Sequence, residues 1–350
     1  MNYKPLNIGE LTARIPLVQG GMGVGISLSG LAAAVANVGG VGLISTAQIG
    51  FREPTWDSNP LESNLKALAE ELKKARALSP KGILGFNIMV ATKRYEEYVR
   101  AAVKAGAEII VSGAGLPVDL PKYVEGFKTK IAPIVSSVKA AALICKLWDR
   151  RYQRVPDMVI VEGPKAGGHL GFTAEDAANM TQEDFDKEIV NIIEEVKNCA
   201  RKHGCEIPVV VAGGVYSRED VHHVLENLGA DGVQVSTRFV TTEECDAPQV
   251  YKEAYLNAKE ADIVITQSPV GMPGRAISNR FLQNKGAAKI EKCHQCLEKC
   301  NPEKIPYCIT DALVNAARGK LDDALLFCGS NAWKSKKIET VHEVVEDLFG

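Results

Sequence analysis

A histidine set among glycines is the strongest candidate for chemistry in this sequence. Residues 162–171 read EGPKAGGHLG, so His169 has few neighbouring side chains that could bury it. An imidazole titrates near neutral pH, and a histidine presented to a cleft can therefore transfer protons. A solvent-exposed loop histidine without a function is the alternative, and the residues alone favour neither interpretation.

Two further segments have the composition of a phosphate-binding site. They read AGGV at residues 212–215 and QVSTRF at residues 234–239. Glycine lets a backbone approach a ligand closely, and N–H groups near a helix N-terminus favour anions. Tight turns would explain either segment alone, whereas the two together favour phosphate binding. The backbone N–H groups expected to donate belong to Gly213, Gly214, Ser236 and Thr237.

Four cysteines lie close together near the C-terminus. Cys293, Cys296, Cys300 and Cys308 have the spacing C-x2-C-x3-C-x7-C. Four thiolates so near in sequence can surround a zinc ion or an iron–sulfur cluster. A metal-free loop of reduced thiols and a local disulfide pair are the alternatives. We expect His294 to stay outside such a site, because joining it beside Cys293 would strain the backbone. An iron–sulfur cluster near a flavin would indicate electron delivery by a protein donor and would count against an oxygenase.

Eight short apolar runs, each followed by a helical pattern, are expected to position these residues. Continuous apolar runs are typical of parallel strands buried on both faces, and eight of them over roughly 250 residues predict an α/β fold, the (β/α)8 TIM barrel. A doubly wound sheet is the rival, because GGMGVG at residues 20–25 follows the first run; however, no acidic residue ends the second run, VGLIST. The runs span residues 15–19, 41–46, 85–90, 108–112, 131–136, 158–162, 208–212 and 232–237.

Composition and the chain ends exclude several classes of protein. The chain has 350 residues and a formal net charge of −2, which argues against a nucleic-acid partner. No run of about 18 apolar residues predicts a membrane span, and the first residues, MNYKPLNIGE, contain no secretory apolar region. A cytoplasmic protein with reduced thiols is therefore expected. We predict a barrel over residues 1–282 and a Cys-rich helical C-terminal extension over residues 283–350, packed on the barrel.

The combination of motifs resembles the nitronate monooxygenase family and its close relative, the flavin-containing enoyl-ACP reductase. The motifs are IPLVQGGMG, GFNIMV, SGAG, EGPKAGGHLG, PVVVAGGV, GVQVSTRF and SPVGMPGRA, and the resemblance extends over about residues 10–282. It implies an FMN-dependent TIM barrel in which His169 is catalytic. The flavin ring would contact Gly21, Met22, Gly23, Asn87, Glu162, Gly167 and Gly168, although Glu162 stands where relatives often have Gln. The ribityl phosphate would contact Gly213, Gly214, Gln234, Val235, Ser236 and Thr237.

The resemblance implies oxidation of alkyl nitronates by O2 to a carbonyl compound and nitrite. His169 would attract the nitronate as imidazolium, or take a proton from a neutral nitroalkane as imidazole. Enoyl-ACP reduction by NAD(P)H is the alternative within the family, and a flavin or Cys-cluster regulatory protein without turnover is the alternative outside it. Arg275 could meet an acidic group of a substrate or nucleotide, or form a surface ion pair. A homodimer is compatible with the fold, and the sequence does not fix the oligomeric state.

Overall fold

Eight parallel strands form a closed barrel, as the apolar runs predict. The computed structural model describes residues 3–269, 271–284, 290 and 292–350. Its strands are β1 Leu6–Ile8, β2 Leu11–Ala13, β3 Leu17–Gln19, β4 Val41–Ser45, β5 Ile83–Met89, β6 Ile109–Gly113, β7 Lys130–Val135, β8 Val159–Glu162, β9 Gly168–His169, β10 Val209–Ala212, β11 Gly232–Val235, β12 Ile263–Gln267 and β13 Pro273–Ile277. The barrel order is β10-β11-β3-β4-β5-β6-β7-β8, and its pairs are parallel.

Alternate residues of the barrel strands enter two separate hydrophobic cores. One core lies inside the barrel and includes Val18, Leu43 and Ile160. Their strand neighbours instead pack outward beneath the helices. The antiparallel hairpin β1–β2, which the sequence analysis missed, adds Leu6 and Ile8 to the inner core. The hairpin therefore closes one end of the barrel, and ligand access is confined to the other.

Helices surround the barrel and begin and end where the sequence places caps. The Ser137, Thr181 and Ser217 side chains cap three of them, and Gly39 ends the first with a φ of 102°. The α-helices are α1 Ser29–Val38, α2 Pro60–Leu78, α3 Tyr95–Ala105, α4 Leu120–Tyr123, α5 Val138–Tyr152, α6 Ala174–Asn179, α7 Gln182–His203, α8 Arg218–His222, α9 Thr237–Val240, α10 Gln249–Asn257, α11 Arg280–Gln283, α12 Ile309–Ala317 and α13 Val341–Phe349.

The last helix completes the barrel although it follows the Cys-rich segment. α13 packs against α1 and α8, and Val341, Val344 and Leu348 join the core beneath the outer helices. The expected boundary between residues 282 and 283 thus falls before the helix that closes the outer ring. Among the described residues, no helix combines the length and apolar character needed to cross a bilayer.

A small antiparallel sheet covers the open end of the barrel, and the sequence analysis did not predict it. Its strand order is β12-β13-β9, and Gly274 of β13 pairs with His169 of β9. β9 belongs to the loop that follows β8. The sheet therefore ties the candidate catalytic loop to a segment about a hundred residues further along the chain.

Candidate active site

A cavity of about 220 Å³ lies at the carboxyl ends of the barrel strands. This is the end at which TIM barrels place their functional residues. The cavity brings together nearly all of the residues that the sequence analysis assigned to a flavin site. Its lining includes Gly21, Met22, Gly23, Asn87, Glu162, Gly167, Gly168, His169, Gly213, Gly214, Gln234, Ser236 and Thr237.

Val235 does not line the cavity. Its side chain is buried in the core beneath the helices, and its backbone carbonyl accepts a hydrogen bond of 3.0 Å from the Gly20 N–H. Val235 therefore positions the glycine-rich turn after β3 through its backbone.

One close approach and two left-handed backbone conformations explain why glycines occupy the cavity wall. A Cβ atom at Gly21 would lie 2.2 Å from the Asn87 Cβ, so the backbone can pass this close to Asn87 only without a side chain. Gly213 and Gly214 have φ values of +92° and +105°, which other residues rarely adopt. The turn after β10 consequently exposes backbone to the cavity.

Two buried polar atoms of the cavity wall have no hydrogen-bond partner among the described residues. They are the Gln234 Oε1 and the Ser330 Oγ. Buried polar atoms in native proteins are normally satisfied, so unpaired atoms in a cavity wall are consistent with a polar ligand there. The Thr237 hydroxyl accepts a hydrogen bond of 3.1 Å from the Gly329 N–H and keeps its own hydrogen to donate.

Glu162 ends β8 and contributes a carboxyl group to the cavity wall. Burial raises its pKa to about 7, because the ionised form loses hydration. The carboxyl group is therefore largely protonated below neutral pH and can donate a hydrogen bond.

His169 is held from two sides at the edge of the cavity. Its Nε2 lies 2.8 Å from the Ser268 Oγ, and its ring meets Phe327 edge-on with 5.1 Å between the ring centroids. Burial lowers the pKa of His169 to about 4, so the imidazole is neutral at pH 7. A neutral imidazole has one nitrogen that can accept a proton. The ring can therefore act as a base, and it is not a fixed cation.

The expectation for Arg275 was wrong. Arg275 is 6% exposed and faces neither solvent nor the cavity. Its Nη1 donates to the carbonyl oxygens of Pro164 at 2.6 Å and Ala166 at 2.7 Å, and its Nη2 donates to Ala177 at 3.3 Å. Arg275 thus fixes the backbone of the loop that carries His169. The sequence could not show this role, because its acceptors are backbone carbonyls rather than acidic side chains.

Several residues that line the cavity escaped the sequence analysis. The largest group comes from the Cys-rich C-terminal part of the chain, which was expected to pack on the barrel and to which no cavity residue was assigned. It comprises Leu313, Phe327, Cys328, Gly329, Ser330 and Asn331. In this stretch, Gly329 was the one local signal of a turn. Ser268, the partner of His169, lies in the SPVG motif, which was noted only as part of the resemblance.

The four candidate metal ligands lie in the described structure, and all nine cysteines are free thiols. The disulfide alternative is therefore not formed. Among the described residues, one set of three His, Cys, Asp or Glu side chains has its ligand atoms within 4.8 Å of one another, namely His294, Cys308 and Asp311. Only Cys308 of the four cysteines belongs to it. Part of the chain before these cysteines, residues 285–289 and 291, lies outside the described residues.

The descriptions of the family model and of three curated relatives that match this chain all name a nitronate monooxygenase. A family model described as nitronate monooxygenase matches residues 4–350. The chain is 28% identical over 298 residues to a probable nitronate monooxygenase of Staphylococcus saprophyticus, with 78% of each sequence covered. Relatives from Staphylococcus haemolyticus and Staphylococcus aureus carry the same description at 25% and 23% identity.

Two solved structures share the fold. FabK from Thermotoga maritima has a TM-score of 0.72 and 24% identity, covering 95% of this chain and 91% of that one. Nitroalkane oxidase from Streptomyces ansochromogenes has a TM-score of 0.72 and 21% identity, covering 95% and 94%. Because the family model spans nearly the whole chain, the protein belongs to the nitronate monooxygenase family and is an enzyme of that type.

Proposed function

We propose that the protein is an FMN-dependent oxidoreductase that oxidises alkyl nitronates with O2 to a carbonyl compound and nitrite. The observation that carries the proposal is the neutral His169 imidazole, held by Ser268 at a glycine-lined cavity. A protein that only binds flavin would need no titrating group at this place.

The cavity wall suits a flavin. The backbone at Gly21, which lines the cavity without a side chain, would lie against the ring system, and the unpaired Gln234 Oε1 could accept from a ring N–H. The protonated Glu162 carboxyl could donate to a ring oxygen or nitrogen. The exposed backbone at Gly213 and Gly214 would hold the phosphate. When bound, a flavin accepts electrons from the substrate, and the protein positions the flavin and the substrate and provides the electrostatic environment.

His169 would act on the substrate as a hydrogen-bonding group and a base. A neutral imidazole can accept the α-proton of a nitroalkane, whereas a nitronate has already lost that proton. Ser268 and Phe327 limit the rotation of the ring, so its free nitrogen keeps one direction relative to the cavity. The Arg275 clamp on Pro164 and Ala166 holds the backbone on which this geometry depends.

Anaerobic mixing of the purified enzyme with single substrates tests the proposal. A nitronate should bleach the flavin absorbance, and admission of O2 should restore it with release of nitrite. If NADH or NADPH bleaches the flavin and a crotonyl thioester restores it, while nitronates do nothing, the protein is an enoyl reductase and the proposal is wrong. Bleaching by none of these reagents would favour a binding protein without turnover.

Replacing His169 by alanine tests the role of the imidazole. We expect flavin to be retained and the oxidation of neutral nitroalkane to fall about 10²–10⁴-fold, as is typical for loss of a proton-transfer group. Nitronate oxidation should fall less, because its proton is already gone. His342→Ala on the exposed face of α13 is the matched control and should leave both rates unchanged. Equal losses on the two substrates would remove proton transfer from the role of His169.

A further inference from the structure

The cysteine segment, residues 292–308, approaches the N-terminus of α12 from the side of the barrel. It is tied to the loop after β5, because the Lys93 N–H donates to the Cys296 carbonyl at 2.9 Å and Thr92 pairs with Leu297. Cys308 is the N-cap residue of α12. The segment is therefore fixed at two points, at the loop after β5 and at the start of α12.

We propose that Cys293, Cys296, Cys300 and Cys308 bind an iron–sulfur cluster at the N-terminus of α12. Binding would break four S–H bonds, form four Fe–S bonds and release the protons to solvent. The proposal does not rest on the proposed function. Its confirmation would count against the O2-dependent reaction proposed above, because a cluster near a bound flavin indicates electron delivery by a protein donor.

Three of the four sulfur atoms have hydrogen-bond donors beside them. The Gln295 N–H donates to the Cys293 Sγ at 3.4 Å, and the Thr310 hydroxyl hydrogen-bonds the Cys296 thiol. Cys308 accepts from the backbone N–H groups of Thr310 and Asp311. Such donors tune the sulfur atoms of iron–sulfur clusters, and a helix N-terminus favours the negative charge of a thiolate-bound cluster. Cys293, Cys296 and Cys308 therefore each have at least one hydrogen-bond donor beside the sulfur atom.

The thiols lie near one another but not in a single tight group. Cys293, Cys296 and Cys300 interact electrostatically, and so do Cys296 and Cys308. Among the described residues, no three of these sulfurs lie within 4.8 Å of one another. One zinc ion, with Zn–S bonds of about 2.3 Å, would need sulfurs roughly 3.8 Å apart. A cluster contains several metal atoms and holds its thiolates further apart. A cavity of about 340 Å³ is lined by Cys293 and Cys296, and Cys300 and Cys308 lie outside its lining.

His294 packs against the site without being needed as a ligand. Its ring stacks on Trp56 at 4.6 Å between centroids, and its Nε2 lies 2.7 Å from the Asp311 Oδ1. Its Nδ1 is buried and has no hydrogen-bond partner among the described residues. A competing single-ion site with Cys308 and Asp311 would need a ring nitrogen of His294, so His294 provides the variant that separates the two kinds of site.

The site is also close to the main cavity. Leu313 lines that cavity and lies five residues after Cys308 on the same helix. At 1.5 Å per residue the two positions are about 7.5 Å apart along the helix axis. A cluster here would lie one to two helical turns from the cavity wall, which is close enough to exchange electrons with a group bound there.

Metal analysis of the full-length protein, purified without oxygen, tests the proposal. We expect iron and acid-labile sulfide in equal amounts, about two or four of each per chain. Reduction by dithionite should give a low-temperature electron paramagnetic resonance signal distinct from that of a flavin. Cys296→Ser and Cys308→Ser should each lower bound iron at least fivefold. Cys205→Ser, which changes an exposed cysteine away from the segment, should leave it unchanged.

A second measurement keeps the test decisive if the serine variants fold poorly. In the parent protein, alkylation should modify Cys205 and spare the four cysteines until the iron is removed. Absence of iron and sulfide after anaerobic reconstitution, with the four thiols open to alkylation, would overturn the proposal. One zinc per chain that His294→Gln removes would overturn it as well, because that result identifies a single-ion site at His294 and Cys308.

Discussion

Exchanging Glu162 and His169 for glutamine, one at a time, should change the pH dependence of stability in opposite directions. Both residues line the same cavity, and burial is the cause of both pKa shifts. Burial raises the pKa of Glu162 from 4.5 to about 7 and lowers the pKa of His169 from 6.5 to about 4. Each group is therefore neutral in the folded flavin-free protein over a range where it is charged in the unfolded chain.

The signs follow from proton binding in the two states. Between pH 4.5 and 7 the folded state keeps the Glu162 proton that the unfolded chain has lost, so this group's contribution to stability falls as pH rises. Between pH 6.5 and 4 the unfolded chain binds a proton at His169 that the folded state does not bind. The contribution of His169 to stability therefore falls as pH drops. Each shift of about 2.5 pH units corresponds to roughly 3 kcal/mol, at about 1.4 kcal/mol per unit. In the parent protein the two effects oppose each other between pH 4.5 and 6.5.

Urea unfolding of the flavin-free proteins at pH 4 and pH 7.5 measures the two contributions separately. Relative to the parent, Glu162→Gln should gain about 3 kcal/mol in unfolding free energy between pH 4 and 7.5. His169→Gln should lose about 3 kcal/mol relative to the parent over the same interval. Glu183→Gln, whose side chain is 79% exposed at the start of α7, serves as the control and should change by less than about 0.5 kcal/mol.

The reasoning fails if either variant tracks the parent at both pH values. If the unfolding free energy of Glu162→Gln has the same pH dependence as that of the parent, the carboxyl group is hydrated or paired in the folded state and cannot act as a neutral donor. A flat result for His169→Gln would mean that the imidazole titrates normally, and the neutral-base role would lose its basis.

Two further predictions concern the cofactor and the loop that carries His169. Denaturation of the purified protein should release FMN and not FAD, because the loops after β10 and β11 form one phosphate site. Chromatography of the released flavin tests this prediction, and recovery of FAD would contradict it. Arg275→Met should lower the free energy of unfolding by about 2–3 kcal/mol, since it leaves three buried carbonyl oxygens without their charged donor. The Arg275→Met variant should also retain less flavin. An unchanged melting temperature with full flavin content would show that the loop keeps its conformation without Arg275.

The sequence was informative where a residue's role depends on its near neighbours. The buried strands and the glycine caps are local features, and the barrel follows from them. For His169 the flanking glycines left a cleft and a solvent-exposed loop equally open, and they gave no sign of the burial that lowers its pKa. Its partner Ser268 is 99 residues away and reaches it only through the antiparallel pairing of β13 with β9. No periodicity or spacing within the chain encodes that pairing.

The same limit applies at the C-terminal end of the chain. The sequence predicts a helical extension packed on the barrel, and α13 lies in that extension. The apolar pattern could not show that α13 packs against α1 and α8. Such a pattern indicates that a helix has a buried face, but it does not identify the surface that covers this face.

The position of α13 changes how the C-terminal third of the chain should be understood. Everything between β11 and α13, residues 236–340, is in effect one long connection between the eighth strand and the eighth helix of the barrel. In TIM barrels, such connections lie at the carboxyl ends of the strands, where the functional residues are. This connection contains Ser268, Arg275, the cavity-lining residues 327–331 and the cysteine segment. It follows that the chain concentrates in a single connection the parts that hold His169, close the cavity and carry the four thiols, together with Ser236 and Thr237. The other seven strand ends line the rest of the cavity.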